Sequence, residues 1–240
     1  AGFWDANMVL SHQFSQKDNL YLSGYYSHDR FNFIENETYS YANGNASLQW
    51  VHLFNENFRM GTTVGYDHYD YATQNFQNEN DAFQMGFDIN QYFLKLDFTH
   101  EQWQNHKLDW GLSALMYDIN PGEIKPYGST SLYIPKTLQK AALYFNEEWD
   151  ITSKFTASLG ARYSLFRAFG PRTYNTYTEG ELPSTLNMTG SVTKDGNLKT
   201  YHGPEFRAGL RYAFTDDFSV KAGLNTMRQY IHKVSNTMVM

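Results

Sequence analysis

Cysteine is absent from all 240 residues, which excludes a disulfide framework and any thiolate-held zinc. Long hydrophobic runs are missing as well. No stretch approaches the ~20 apolar residues of a membrane-spanning helix, and mean hydropathy is −0.59. A barrel strand needs an apolar residue only at every second position, so a β-barrel stays open. Helical periodicity is absent over any useful window, and no heptad persists, which excludes a coiled coil. A cationic surplus is lacking too: 19 Lys plus Arg stand against 25 Asp plus Glu, for a net charge of −6. That balance argues against a nucleic-acid partner. What the chain has in abundance is aromatics, with 19 Tyr, 18 Phe and 5 Trp, too many for a disordered, solvating segment. The ends read as those of an internal or processed piece. Ala1–Asn7 has neither the basic start nor the apolar stretch of a signal peptide, and Met240 follows a strand-like run directly.

Period two dominates. Phe218, Val220, Ala222 and Leu224 alternate with Ser219, Lys221, Gly223 and Asn225. Phe206, Ala208, Leu210, Tyr212 and Phe214 form a second apolar face, and Phe155 through Leu165 a third. Leu108 to Met116 and Tyr92 to Phe98 behave likewise. Met85, Phe87 and Ile89 run in the opposite phase, which predicts a bulge near Asn90–Gln91. Glu147 breaks the parity of Leu143, Phe145 and Trp149, which places it near an interface or at another bulge. The chain is all-β.

Its turns come in two sizes. Short polar turns fall at Gln16–Asn19, Asn55–Asn57, Trp103–His106, Thr152–Lys154 and Thr215–Asp217. Long Asn/Gly/Tyr/Pro-rich segments lie between them, at Ile34–Gly44, Tyr71–Asp81, Asn120–Thr137 and Gly170–Gly203. Ten strands result, with every short turn at one rim, the pattern of an outer-membrane barrel. Phe14, Phe54, Phe58, Trp149, Phe155, Phe214 and Phe218 lie close to those turns, as an aromatic girdle at a membrane interface requires. Arg162, Arg207, Arg211 and Lys221 share the Gly- and Ser-bearing face of their strands. Facing lipid near mid-bilayer, each would cost about 2–4 kcal/mol, and facing a wet lumen little. These four are the candidates for meeting a ligand or a plug.

Candidate chemistry is sparse. Eight histidines have no ligand-like spacing, so no metal site and no cofactor is expected. Tyr66-Asp67-His68-Tyr69-Asp70-Tyr71 offers an Asp/His pair of the sort that activates water in omptin-type proteases. In an extended strand, however, Asp67 and Asp70 point to different faces. Neither a Gly-rich phosphate cradle nor a nucleophile elbow is present. Three Asn-x-Ser/Thr triplets begin at Asn36, Asn45 and Asn187, as chance provides in an Asn/Thr-rich chain. Tyr174, Tyr177 and Tyr201 are loop aromatics suited either to stacking on sugars or flat chelates or to packing a loop on its neighbours.

Specific residues also carry a resemblance. Tyr201-His202-Gly203-Pro204-Glu205-Phe206-Arg207, then Asn225 to His232 and Ser235-Asn236-Thr237, closely resemble the barrel of TonB-dependent outer-membrane receptors of the Bacteroidetes kind. Asp88 to Phe93, Tyr117 to Gly122, Ile134-Pro135-Lys136 and Gly160 to Ser164 are similar in order and spacing. Residues 85–240 carry the resemblance, while residues 1–84 fit by strand pattern. It implies a bacterial outer-membrane location and a 22-stranded barrel around an N-terminal plug. It also implies uptake of a scarce, bulky nutrient (metal chelate, haem, glycan or peptide), driven through the periplasmic partner TonB. On this reading residues 1–240 are about ten strands of that barrel, without plug or TonB-contact segment. Outer-membrane lipid, TonB by way of the plug, and a surface lipoprotein lid are the implied partners, and no catalysis is implied. Two further readings stay open: a complete ten-stranded barrel with protease activity, and a soluble β-sandwich that binds carbohydrate.

Overall fold

The computed structural model describes residues 1–34, 37–75, 82–101, 103, 105–126, 136–184 and 186–231. Among them are twelve strands and no helix: β1 (Gly2–Gln13), β2 (Asp18–Ile34), β3 (Glu37–Asn55), β4 (Phe58–Asn75), β5 (Phe83–His100), β6 (His106–Pro126), β7 (Lys136–Thr152), β8 (Phe155–Phe169), β9 (Arg172–Tyr177), β10 (Met188–Lys194), β11 (Asn197–Ala213) and β12 (Ser219–Asn225). Ten of them form one antiparallel sheet in the order β1-β2-β3-β4-β5-β6-β7-β8-β11-β12. The hairpin β9–β10 stands apart, inserted between β8 and β11. All five short turns fall where the sequence places them, at one edge of the sheet.

Register sorts the side chains into two faces. One cross-strand row runs Glu205, Arg162, Tyr144, Gly111, Asp97, Gly61. The next runs Phe206, Ala161, Phe145, Trp110, Phe98, Met60. We denote the second face outer and the first inner. Among the described residues no second sheet or helix covers either face, and the buried apolar side chains are Ala42, Ala142 and Phe166 alone. A folded soluble monomer of this mass exposes about 11,000 Å², whereas this chain exposes 17437 Å². A soluble sandwich, which buries one face of each sheet, does not fit that surface.

Two aromatic belts bound the outer face. Near the short turns, Phe54 and Phe58 stack at 4.7 Å, Phe98 and Trp110 at 5.8 Å, and His106 and Trp149 at 5.2 Å. Toward the other rim, Trp4 meets Tyr26 at 5.1 Å and Tyr66 meets Tyr92 at 5.0 Å. Eight residues separate Phe58 from Tyr66 on β4. At ~3.4 Å each and a ~40° tilt, that places the belts ~21 Å apart vertically, close to the ~25 Å apolar band of outer-membrane barrels. Glu147 lies at the lower belt, its carboxylate 2.8 Å from Nδ1 of His106. The register of β6 with β7 is unbroken there, so Glu147 marks the interface rather than a bulge.

Strands β2 to β6 are 17 to 21 residues long, although ~9–11 tilted residues cross a bilayer. The surplus lies at the long-loop rim and corrects two expectations. Strand structure enters the segments expected as loops: β3 starts at Glu37, β4 runs to Asn75 and β6 to Pro126. Of those segments, residues 35–36, 76–81 and 127–135 lie outside the described residues. The expected bulge at Asn90–Gln91 does not occur, because β4 and β5 pair without interruption from Phe83 to His100. The one irregularity of β5 lies on its β6 side, between Gly86 and Asp88. Phe87 and Ile89 therefore share the inner face with Gln91, while Asp88 and Asn90 point outward. Beyond the upper belt the outer face meets water, so the apolar phase inverts with no change in the backbone.

Candidate functional site

The inner wall carries the chemistry in three groups. On β8 and β11, Arg162 stands directly opposite Glu205 and reaches the Ser113 hydroxyl of β6 at 3.5 Å. Arg207 lies opposite Gly160, and its methylenes fill the space a Cβ there would occupy, together with the Asn146 amide oxygen. Arg162, Arg207, Glu205, Lys95, Tyr144 and Asn225 line one open recess of about 510 Å³. Arg211 and Lys221 share this face but sit toward the short turns, directly opposite each other in register. Like charges so placed repel, and a neighbouring anion relieves them. Of the four cations expected on this face, Arg162 and Arg207 thus come together and Arg211 and Lys221 form a separate pair.

Above that recess, the chain after β12 is held against the inner wall. The Thr226 amide donates to the Phe206 carbonyl at 2.8 Å, and Arg228 Nε donates to the Pro204 carbonyl at 3.2 Å. The Arg228 guanidinium lies directly over Gly203, 2.5 Å from where a Cβ would stand. Tyr230 stacks on Phe166 at 5.3 Å, and its hydroxyl lies 2.8 Å from the Ser164 hydroxyl. Ser164 is wholly buried and donates to Glu205 at 2.7 Å. Tyr201 adjoins this cluster, 6.5 Å from Tyr230, with the Lys199 ammonium 5.7 Å from its ring. Tyr174 and Tyr177 lie on the separate hairpin instead, where the Arg172 guanidinium covers Tyr174 at 5.2 Å. His232 and Ser235-Asn236-Thr237 lie outside the described residues.

The third group escapes sequence reading. A continuous aromatic ladder crosses β2 to β5: Phe31 stacks on Tyr39 at 5.3 Å and on Tyr41 at 5.9 Å, Tyr41 meets Tyr71 at 5.1 Å, and Tyr71 meets Phe87 at 5.0 Å. Below it, Asn43, Asn45, Asp67, Tyr69 and Gln91 line a polar recess of about 400 Å³. Asp67 accepts hydrogen bonds from the Asn45 amide and, at 2.7 Å, from the Gln91 amide. The signals existed as Tyr39-x-Tyr41 and Tyr69-x-Tyr71, but joining them needs a register that no single strand contains.

The Asp/His cluster does not assemble a water-activating pair. Asp67 is bound on the inner face, while His68 lies on the outer one, 2.8 Å from Asn90. Among the described residues no group of three or more His, Asp or Glu is placed to hold a metal. The histidines instead join the belts: His52 and His100 meet Phe54 and Phe58 at the short-turn rim, and His202 accepts or donates a 2.6 Å bond with Tyr163 near the other.

Comparison with known proteins agrees with this arrangement. Residues 2–227 match the family described as TonB dependent receptor-like, beta-barrel. No curated protein matches significantly. Among solved structures, the copper transporter OprC superposes with TM-score 0.71 at 12% identity over 93% of this chain and 36% of its own. The ferric-catecholate import receptor Fiu of E. coli K12 gives 0.68 at 13% identity, over 95% and 47%. The ferripyoverdine receptor of the Pseudomonas aeruginosa outer membrane gives 0.67 at 13%, over 92% and 35%. The chain spans between about a third and a half of the length of each.

Proposed function

Because the chain belongs to the TonB-dependent receptor-like β-barrel family, we propose that it supplies ten strands of the plugged barrel of an energised outer-membrane importer. The remaining strands and the plug belong to the rest of that barrel, since ten strands enclose too little lumen for a plug. The observation that carries this reading is the division of one sheet into a lipid-suited outer face, bounded by two aromatic belts, and a charged, hydrogen-bonding inner wall. Lower on that wall, Arg162, Arg207, Arg211 and Lys221 meet acidic groups of the plug or an anionic solute. Higher up, the aromatic ladder and the amide-lined recess meet the cargo as it enters, with Tyr174, Tyr177 and Tyr201 nearer the mouth. The cargo is a bulky, scarce nutrient: a metal chelate, haem, glycan or peptide. TonB engages the plug from the periplasm, and a surface lipoprotein closes the outer mouth.

Uptake by cells that carry the full-length receptor tests this reading. The probes are a radiolabelled ferric catecholate, haemin, maltoheptaose and a hexapeptide. Accumulation of one probe should require both the receptor and TonB, and Tyr41→Ala with Tyr71→Ala should weaken its capture. Accumulation of a probe that persists without TonB would overturn the proposal.

A further inference from the structure

The inner wall divides by sign of charge. On β1–β5, Asp29 shares a cross-strand row with Tyr41, Tyr71 and Phe87 of the aromatic ladder. The next row toward the short turns holds Asp5 and Asn43, and the one after it Asn45, Asp67 and Gln91. On the other side of the ladder, Glu37 accepts the Tyr39 hydroxyl at 2.7 Å. From the Asp67 row to the long-loop rim, these four carboxylates face inward with no described lysine or arginine beside them. Arg30 reaches that far along β2, but its parity turns it outward. Asp5 and Asp29 are diagonal neighbours on β1 and β2, and neither forms an ion pair among the described residues. Like charges so placed repel until a cation joins them.

The inner face of β7, β8 and β11 carries the opposite sign. The Lys140 ammonium lies 5.9 Å from the Tyr230 ring and that of Lys199 lies 5.7 Å from the Tyr201 ring. Arg228 adjoins them, with Arg162 and Arg207 nearer the short turns. From the Arg207 row outward, the one carboxylate among the described residues of this patch is Glu205, which Ser164 already binds. Strands β4 and β7 stand three places apart in the sheet, ~14 Å at ~4.8 Å per spacing. An extended hexapeptide reaches ~20 Å, enough to pass from Asp67 to Lys140.

Charge of both signs on one cargo separates the four cargo classes. A ferric catecholate and haem are anionic, and an unmodified glycan is neutral. A peptide carries amine, ammonium or guanidinium groups together with a terminal carboxylate. Its backbone asks for donors and acceptors in alternation, which the amides of Asn43, Asn45 and Gln91 supply. Guanidinium groups also stack on aromatic rings. We propose that this wall receives an extended peptide with basic N-terminal residues. Their cations lie on the Tyr41–Tyr71 ladder against Asp5 and Asp29, and the C-terminal carboxylate meets Lys140 and Lys199. This assignment rests on the importer reading above and names the cargo class of the same site.

Calorimetric titration of the purified full-length receptor in detergent tests it, since equilibrium binding needs no TonB. The probes are the hexapeptide Arg-Arg-Ala-Ala-Ala-Gly, its counterpart with glutamates for the arginines, the C-terminally amidated form of the first, and maltoheptaose. The basic peptide should bind about tenfold or more tightly than the acidic one, and raised salt should shrink that preference. Asp5→Asn with Asp29→Asn should remove most of the preference. Amidation should weaken binding to wild type and not to Lys140→Gln with Lys199→Gln. Heat-modified gel mobility would confirm that each variant is folded. Absent binding of the basic peptide, equal binding of the basic and acidic peptides, or tighter binding of maltoheptaose would overturn the proposal. Cargo accumulation in cells without TonB would instead overturn the importer reading, whatever the receptor binds.

Discussion

Ser164 is the most enclosed side chain of the inner wall, and its hydroxyl joins Glu205 to Tyr230. Removing it leaves a carboxylate and a phenol each short of a partner in a confined place, a loss of ~1–3 kcal/mol. Guanidinium unfolding of Ser164→Ala in detergent should show a drop of that size, and an unchanged midpoint would mean the network is relieved by water. Gly111 poses a different constraint. A Cβ there would run into the Leu96 carbonyl and come 2.6 Å from the Tyr144 hydroxyl. Gly111→Val should therefore destabilise by ~1–3 kcal/mol or more, read by the same unfolding curves. Parity alone places Arg162 and Arg207 on the wet face, since the apolar Ala161 and Tyr163 flank the first and Phe206 and Ala208 the second. That Arg162 faces Glu205 is a pairing across 43 residues and depends on register, which neither residue's neighbours specify.

At the level of the strand, the two faces make opposite demands. Leu159 is exposed on the outer face in mid-band, three residues from Arg162 on the inner one. Leu159→Arg should cost ~2–4 kcal/mol of barrel stability and reduce assembled receptor in outer membranes, whereas Arg162→Leu should change stability by less. Equal effects would mean the faces are assigned the wrong way round. The strands also show where alternation stops being informative. Inside the bilayer, lipid enforces an apolar residue at every second position, and that stretch is legible in β5 from Tyr92 to Phe98. Past the upper belt no solvent enforces it, so Phe87 and Ile89 turn inward in a phase that looks like a slipped register, and polar segments such as Glu37 to Gly44 pair as strand although their composition reads as loop.

For the molecule as a whole, the decisive quantity is surface. With 17437 Å² exposed against the ~11,000 Å² of a soluble protein of this mass, the sheet needs lipid on one side and other protein on the other. Residues 1–240 produced alone should be monodisperse only in detergent, and light scattering after detergent removal should show aggregation; a monodisperse, folded species in plain buffer would contradict a membrane-facing outer surface. What the sequence by itself determined was all-β structure, the ten strands of the main sheet though not the β9–β10 hairpin in the segment read as a loop, one rim of short turns and the girdle beside it. Those features are local, imposed at each position by lipid, lumen or turn. The tertiary structure alone decided which residues of different strands meet. The aromatic ladder, the Asp67 recess and the Ser164 network all depend on cross-strand register and on strand overshoot beyond the bilayer. Register is a sum of many weak pairings spread over the whole sheet, and so leaves no mark in any one segment.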